Sequence, residues 1–159
     1  MHLTRVFIHG LESSSEGTKG VFFKKGYPDM IVEDYPGSLE ERMEKLNRLL
    51  ADRSDIVLVG SSFGGLMAAI YACEHEDRIR KVILLAPAIH LEDFHPYSGK
   101  RLDVPAVVFH GTSDDVVPLA GVRRIAESIF NNITYHVVDD DHPLRKTFLS
   151  YDWDELLMA

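Results

Sequence analysis

The sequence predicts an α/β fold, a three-layer αβα sandwich in which a mainly parallel sheet lies between two layers of helices. Six short apolar runs, most of them rich in valine and isoleucine, have the length of strands. Several are continuous rather than alternating, which is typical of strands buried on both faces of a parallel sheet. Segments with helical periodicity lie between most of them, and this alternation predicts a doubly wound sheet. The 159 residues, 45% of them hydrophobic, suit a single domain over 1–159.

Strands and helices are predicted to alternate along the chain. Ser38 and Glu41 have the spacing of a capping box, and apolar residues at helical spacing follow over 39–50. A second helix is predicted over 118–132, and a third over 63–77 is almost wholly apolar, so it should be buried. The strands are expected at 5–9, 30–33, 56–60, 81–86, 106–110 and 133–138.

The net charge bears on the possible partners of the protein, and the cysteine content bears on its compartment. A formal net charge of −8 with no basic patch disfavours nucleic acid and anionic membrane surfaces. Cys73 is the only cysteine, so no intrachain disulfide forms, and a reducing compartment is expected. No apolar run is long enough to insert across a bilayer, and no basic segment followed by a long apolar one begins the sequence. We therefore expect a cytoplasmic protein.

Chemically active residues follow the predicted strands. In open α/β sheets, ligands bind at the carboxyl ends of the strands, so the residues just after each strand are the candidates for a site. At these positions the sequence has histidines, serines and aspartates, namely His9, Ser61, Ser62, Asp114, Asp115 and His142. We expect these side chains to gather at one edge of the sheet.

The corner after the third strand matches the pattern G-x-S-x-G, with Ser62 at its centre. Placed between a valine-rich strand and an apolar helix, this pattern is typical of a nucleophile elbow, whose strained turn exposes the central serine. The helix N-terminus would also stabilise negative charge developing there. A turn that merely joins strand to helix is the alternative. A phosphate-binding turn is disfavoured, because neither G-x-G-x-x-G nor G-K-[ST] is present. We predict that Ser62 reacts and that Ser61 packs into the corner.

A serine nucleophile needs a base to accept its proton and a carboxylate to orient that base. Asp114 and Asp115 follow the fifth predicted strand, and His142 follows the sixth. Either aspartate could instead serve a turn or cap the next helix, and His142 could be a solvated loop histidine. The convergence of serine, acid and histidine after strand ends favours the catalytic interpretation.

The loop after the first strand supplies a candidate oxyanion hole. The backbone N–H of Leu11 could pair with that of Phe63 to bind the oxyanion of a tetrahedral intermediate. His9 is a less suitable candidate for the base, because proteins with a nucleophile elbow have the order serine, acid, histidine, and His9 precedes Ser62. We interpret His9 and His110 as histidines that end a strand before a turn glycine.

These motifs resemble those of the α/β-hydrolase superfamily, in particular its short serine esterase-like members. The segments that carry the resemblance are "HGL", "GSSFGG", "HGTSDDVVP" and "DDDHP", which span most of the chain. The resemblance implies a six-stranded sheet in the order 2-1-3-4-5-6. It also implies a triad of Ser62, His142 and Asp114, with Asp115 as the second candidate for the acid.

The resemblance further implies a serine hydrolase acting on carboxylic esters or thioesters of small or flexible acyl groups, without a metal or an organic cofactor. Larger relatives insert a cap after the fourth strand, and residues 89–105 are too few for one, so the site should be open. We predict substrate contacts from His9, Gly10, Ser61 and Phe94. Two alternatives remain: an amide or peptide hydrolase with the same triad, and a non-catalytic protein-binding module on this fold.

Overall fold

The computed structural model describes residues 2–159, and its centre is a six-stranded sheet. The strand order is β2-β1-β3-β4-β5-β6, and every neighbouring pair is parallel, so the predicted fold class and strand order are confirmed. The strands are β1 (Thr4–Ile8), β2 (Ile31–Val32), β3 (Ile56–Ser61), β4 (Ile79–Leu85), β5 (Ala106–Gly111) and β6 (Ile133–Val138).

Helices cover both faces of this sheet. The three predicted from periodicity are present as α2 (Leu39–Leu50), α3 (Phe63–Glu74) and α4 (Leu119–Ile129). The Ser38–Glu41 capping box is formed at the start of α2. Two further helices, α1 (Thr18–Gly26) and α5 (Trp153–Leu156), were not predicted. Short 3-10 turns cover Glu76–Arg78, Glu92–Tyr97 and Phe148–Ser150.

The core has two halves, one on each face of the sheet, and alternate side chains of the central strand β3 point into them. Ile56 and Leu58 pack with α2, α3 and α4 in the larger cluster. Val57 and Val59 face the opposite way, into a smaller cluster that includes Phe23 of α1 and Trp153 of α5. Because both faces of the strand are buried, its sequence is continuously apolar, as expected of a parallel sheet.

The connection from β4 to β5 packs against α3 and contributes Phe94 to the larger core cluster. Within residues 86–105 the structure has one 3-10 segment, Glu92–Tyr97. No helix within residues 2–159 combines the length and the hydrophobicity needed to cross a bilayer.

Candidate active site

Ser62 occupies a strained corner between β3 and α3. Its φ of 56° and ψ of −114° lie in a region that residues other than glycine rarely adopt. Hydrogen bonds on both sides of the residue hold this conformation: Ser62 N–H donates to the carbonyl of Leu85 (2.9 Å), and Ala88 N–H donates to the carbonyl of Ser62 (2.9 Å). The strain is therefore sustained by the neighbouring strand end, and it presents the serine hydroxyl above the sheet.

Two glycines allow this corner to be so tight. A Cβ on Gly64 would overlap the backbone carbonyl oxygen of Ile8, and a Cβ on Gly60 would overlap the carbonyl of Gly64. Strand β1, the end of β3 and the first turn of α3 are thus in backbone contact. Only glycine fits at these two positions, which explains the G-x-S-x-G pattern in steric terms.

The structure brings Ser62, His142 and Asp114 together in one hydrogen-bonded chain. His142 Nε2 lies 3.0 Å from Ser62 Oγ, and His142 Nδ1 lies 2.7 Å from Asp114 Oδ2. Because an ionised carboxylate only accepts, Nδ1 carries the proton and Nε2 is left to accept one from the serine. The side chain of Asp114 is fully enclosed, whereas Asp115 is exposed to solvent.

Backbone donors keep Asp114 ionised. Its Oδ1 accepts hydrogen bonds from the N–H groups of Val116 (2.8 Å) and Val117 (2.7 Å). Burial acts to raise the pKa of Asp114, but the hydrogen bonds from Val117, His142 and Val116 outweigh it and lower that pKa below its ordinary value. The carboxylate can therefore orient His142 and stabilise an imidazolium.

A cleft of about 730 Å³ opens beside the triad. Ser62 and His142 lie in its wall, and most of the remaining lining side chains are apolar. Leu11, Val116 and Leu149 line the cleft with largely exposed side chains. The apolar lining includes Leu11, Phe63, Leu91, Val116, Leu144 and Phe148.

A family model described as alpha/beta hydrolase fold matches residues 9–99, which is more than half of the 159 residues. The chain belongs to the alpha/beta hydrolase fold family. The matched segment contains the elbow serine, while Asp114 and His142 lie beyond it. A search of curated proteins finds no match.

Solved structures of the α/β-hydrolase fold cover nearly all of this chain. A monoacylglycerol lipase of Paleococcus ferrophilus has a TM-score of 0.76 at 17% identity, with 96% of this chain and 93% of the lipase covered. Est1E of Butyrivibrio proteoclasticus has a TM-score of 0.74 at 17% identity, covering 97% and 84%. An N-formylmaleamic acid deformylase of Pseudomonas putida S16 has a TM-score of 0.72 at 14% identity, covering 92% and 88%. At these identities the likeness shows the shared fold.

The two amides predicted to form an oxyanion hole both belong to residues that line the cleft of this α/β hydrolase fold. Phe63 is the first residue of α3, so its N–H has no acceptor within the helix. Leu11 follows Gly10, which packs closely on the elbow: a Cβ there would lie 3.4 Å from the Cβ of Ser62. Their role in binding an oxyanion stays a prediction.

Of the four predicted substrate contacts, Gly10 and Ser61 line the cleft, and His9 and Phe94 do not. His9 is buried, with Nδ1 2.6 Å from the carbonyl of Gly10, while its Nε2 accepts from Tyr35 N–H (2.9 Å). It therefore holds the loop after β1 in place. Phe94 is buried in the larger core cluster, because the turn that carries it packs against α3.

The histidine loop is organised by Asp140, which the sequence analysis did not single out. This buried carboxylate accepts hydrogen bonds from the N–H groups of Asp141 (2.8 Å), Lys146 (3.1 Å) and Thr147 (2.8 Å), and from Thr147 Oγ1 (2.7 Å). Burial acts to raise the pKa of Asp140, but the hydrogen bonds from Thr147, Asp141 and Lys146 lower it to about 2. Within the run of three aspartates, sequence alone offered no sign of which one turns inward.

Two more histidines lie near Asp114, and the sequence did not mark either of them as part of the site. His90 lines the cleft, and burial lowers its pKa even though the nearby Asp114 carboxylate acts to raise it. His110 is fully enclosed beside Asp114, with Nε2 3.2 Å from Oδ2. No group of three His, Cys, Asp or Glu side chains within residues 2–159 is arranged to hold a metal ion.

Proposed function

We propose that the protein is a serine hydrolase that cleaves carboxylic esters or thioesters through a Ser62–His142–Asp114 triad. The observation that carries the proposal is the continuous hydrogen-bonded chain from Asp114 Oδ2 through the His142 ring to Ser62 Oγ, at 2.7 and 3.0 Å. The serine sits in a strained elbow at a helix N-terminus, and the apolar cleft opens directly beside it. Nucleophile, base, orienting acid and substrate space thus meet at one point.

The chemistry follows from this geometry. Ser62 Oγ attacks the acyl carbon while its proton moves to His142 Nε2, and the Asp114 carboxylate stabilises the resulting imidazolium. The N–H groups of Phe63 and Leu11 bind the oxyanion. His142 then protonates the departing alkoxide or thiolate, which leaves an acyl group on Ser62. In the second half, a water molecule gives a proton to His142 and attacks the acyl carbon, and the carboxylic acid leaves as Ser62 recovers its proton.

The cleft indicates the kind of acyl group. The volume is about 730 Å³, and the lining includes nine leucine, valine and phenylalanine residues, which suits an apolar acyl chain. The exposed apolar side chains at the cleft, including Val116 and Leu149, extend the same character outward. Together they favour short to medium acyl esters over highly polar substrates.

Labelling with a fluorophosphonate probe tests the proposal. The natural protein should react, Ser61→Ala should react comparably, and Ser62→Ala should not. Turnover should then be measured on a series of esters of increasing acyl length. For each ester, Ser62→Ala should be slower than the natural protein by on the order of 10⁴ to 10⁶-fold, by analogy with other triads. Absence of labelling in the folded natural protein would favour the protein-binding alternative. Faster turnover of amides than of matched esters would move the assignment to the amide-hydrolase alternative.

A further inference from the structure

His110 lies behind the triad acid, at the end of β5. Its side chain is fully enclosed. The Nε2 atom lies 3.1 Å from the carbonyl oxygen of Val117 and 3.2 Å from Asp114 Oδ2. Since a carbonyl and a carboxylate can only accept hydrogen bonds, Nε2 must carry a proton. The Nε2–H group donates a hydrogen bond to the Val117 carbonyl, and its partial positive charge lies beside the Asp114 carboxylate.

The other ring nitrogen is held by the neighbouring strand. His110 Nδ1 lies 2.7 Å from the hydroxyl of Tyr135 on β6. Burial lowers the pKa of His110 more than its contacts with Val117 and Asp114 raise it, so the ring is neutral at neutral pH. With the single proton on Nε2, Nδ1 is an acceptor, and the Tyr135 hydroxyl donates to it. The tyrosine thereby selects the tautomer that His110 needs.

We infer that His110, oriented by Tyr135, is a positioning residue that fixes the triad acid Asp114. The inference rests on the proposed function. Its physical basis is one shared residue: Val117 accepts from His110 through its carbonyl and donates to Asp114 Oδ1 through its N–H. By holding Val117, His110 fixes the direction of the Val117 N–H that binds Asp114 Oδ1. This in turn fixes the position of Oδ2, which accepts the hydrogen bond from His142.

Other ionisable groups surround this chain of contacts. His142 and His90 act on Asp114 or His110 from the cleft side. The guanidinium of Arg123 on α4 lies 5.1 Å from the centre of the Tyr135 ring, and Glu127 acts on the same tyrosine. The positioning contact itself is direct, and it joins His110 in β5 to Val117 in the loop before α4.

Kinetics of four variants separate positioning from mere filling of the core. Because a small misplacement of a reacting group can cost about 10²-fold, His110→Leu should lose about that factor in kcat with little change in KM. His110→Gln keeps an amide donor for the Val117 carbonyl and should recover most of the loss. Tyr135→Phe removes the hydroxyl that donates to His110 Nδ1, so the tautomer is no longer selected. Its loss in kcat should be smaller than that of His110→Leu. His136→Gln, on the exposed neighbour in β6, serves as the matched control and should behave like the natural protein.

Several results would overturn the inference. They are an unchanged kcat in folded His110→Leu, and equal losses in the Gln and Leu variants. If His110→Leu does not fold, Tyr135→Phe decides, and a kcat equal to that of the natural protein rejects the role. The tautomer gives a readout independent of activity: long-range ¹H–¹⁵N correlation should show His110 protonated at Nε2 alone, and a proton on Nδ1 at neutral pH would contradict it. Inactivity of the natural protein itself would instead refute the proposed function.

Discussion

The elbow around Ser62 and the loop around His142 are held in place by different physical means. The elbow is fixed by exclusion: backbone carbonyls of β1 and α3 occupy the space that side chains at Gly60 and Gly64 would need. The histidine loop is fixed by attraction, because the buried Asp140 carboxylate gathers three backbone N–H groups and a hydroxyl. One is a packing device and the other an electrostatic one.

This difference separates the conditions under which each loop can fail. Close backbone packing tolerates no added atom, but it is indifferent to pH and salt. A network around one carboxylate tolerates small changes of shape, but it depends on the charge at its centre. The elbow and the histidine loop should therefore respond to different perturbations, and variants can be chosen that disturb one and leave the other intact.

The largest effect is expected from Gly64→Ala in the elbow. The new methyl group would overlap the carbonyl oxygens of Ile8 and His9, so β1 and α3 must separate. We expect a loss of about 3 kcal/mol or more in the free energy of unfolding, together with loss of probe labelling at Ser62. Urea denaturation and labelling measure both. Gly26→Ala in α1 is the matched control, since nothing lies within 4 Å of a Cβ at that position. A stable, normally labelled Gly64→Ala protein would disprove the steric account.

A smaller effect is expected from Asp140→Asn in the histidine loop. The amide keeps one acceptor oxygen, but its NH₂ group faces backbone donors that need an acceptor. The loss should be about 1–3 kcal/mol in unfolding free energy. The turnover should fall by up to about 10²-fold as His142 loosens, with the elbow unchanged. Asp139→Asn, at the exposed neighbouring position, should leave both quantities as they are. Equal effects of the two substitutions would show that inward placement of Asp140 does not organise the loop.

The smallest effect concerns the pH dependence of stability. The pKa of Asp140 is lowered from 3.8 to about 2 in the folded protein, so the ionised form favours folding above about pH 4. That contribution declines as the pH falls towards 2. Between pH 5 and pH 3 we expect about 1 kcal/mol of stability to be lost through this group. Urea denaturation at the two pH values should show a smaller loss in Asp140→Asn. Identical losses in both proteins would assign the acid sensitivity to other carboxylates.

Much of the fold could be predicted because buried strands and helices need apolar residues at characteristic spacings. The continuous apolar runs of β3 and β4 and the amphipathic patterns of α2 and α4 each determined an element type. Helix α1 was not predicted, because its aromatic and lysine residues do not form one apolar face at helical spacing. Strand β2 was predicted over 30–33 and is limited to Ile31–Val32, since it lies at the edge of the sheet with one partner.

Some residues of the candidate site could likewise be predicted from the sequence, and others could not. Ser62, His142 and the pair Asp114 and Asp115 could be predicted because a motif and the strand ends marked them. The inward turn of Asp140, the burial of Phe94 and the placement of His110 beside Asp114 depend on contacts between distant segments. Periodicity and spacing carry no information about which of several adjacent polar residues faces the interior.

The side chains of the proposed triad follow the ends of β3, β5 and β6, and 80 positions separate Ser62 from His142. No short segment of the chain therefore carries a working fragment of the site, and the long-range pairing of the whole sheet must precede chemistry. A nascent or partly unfolded chain would display a serine without a base. The proposed activity therefore requires the completed sheet, and loss of turnover in any variant should be compared with the integrity of the sheet before it is assigned to the proposed triad.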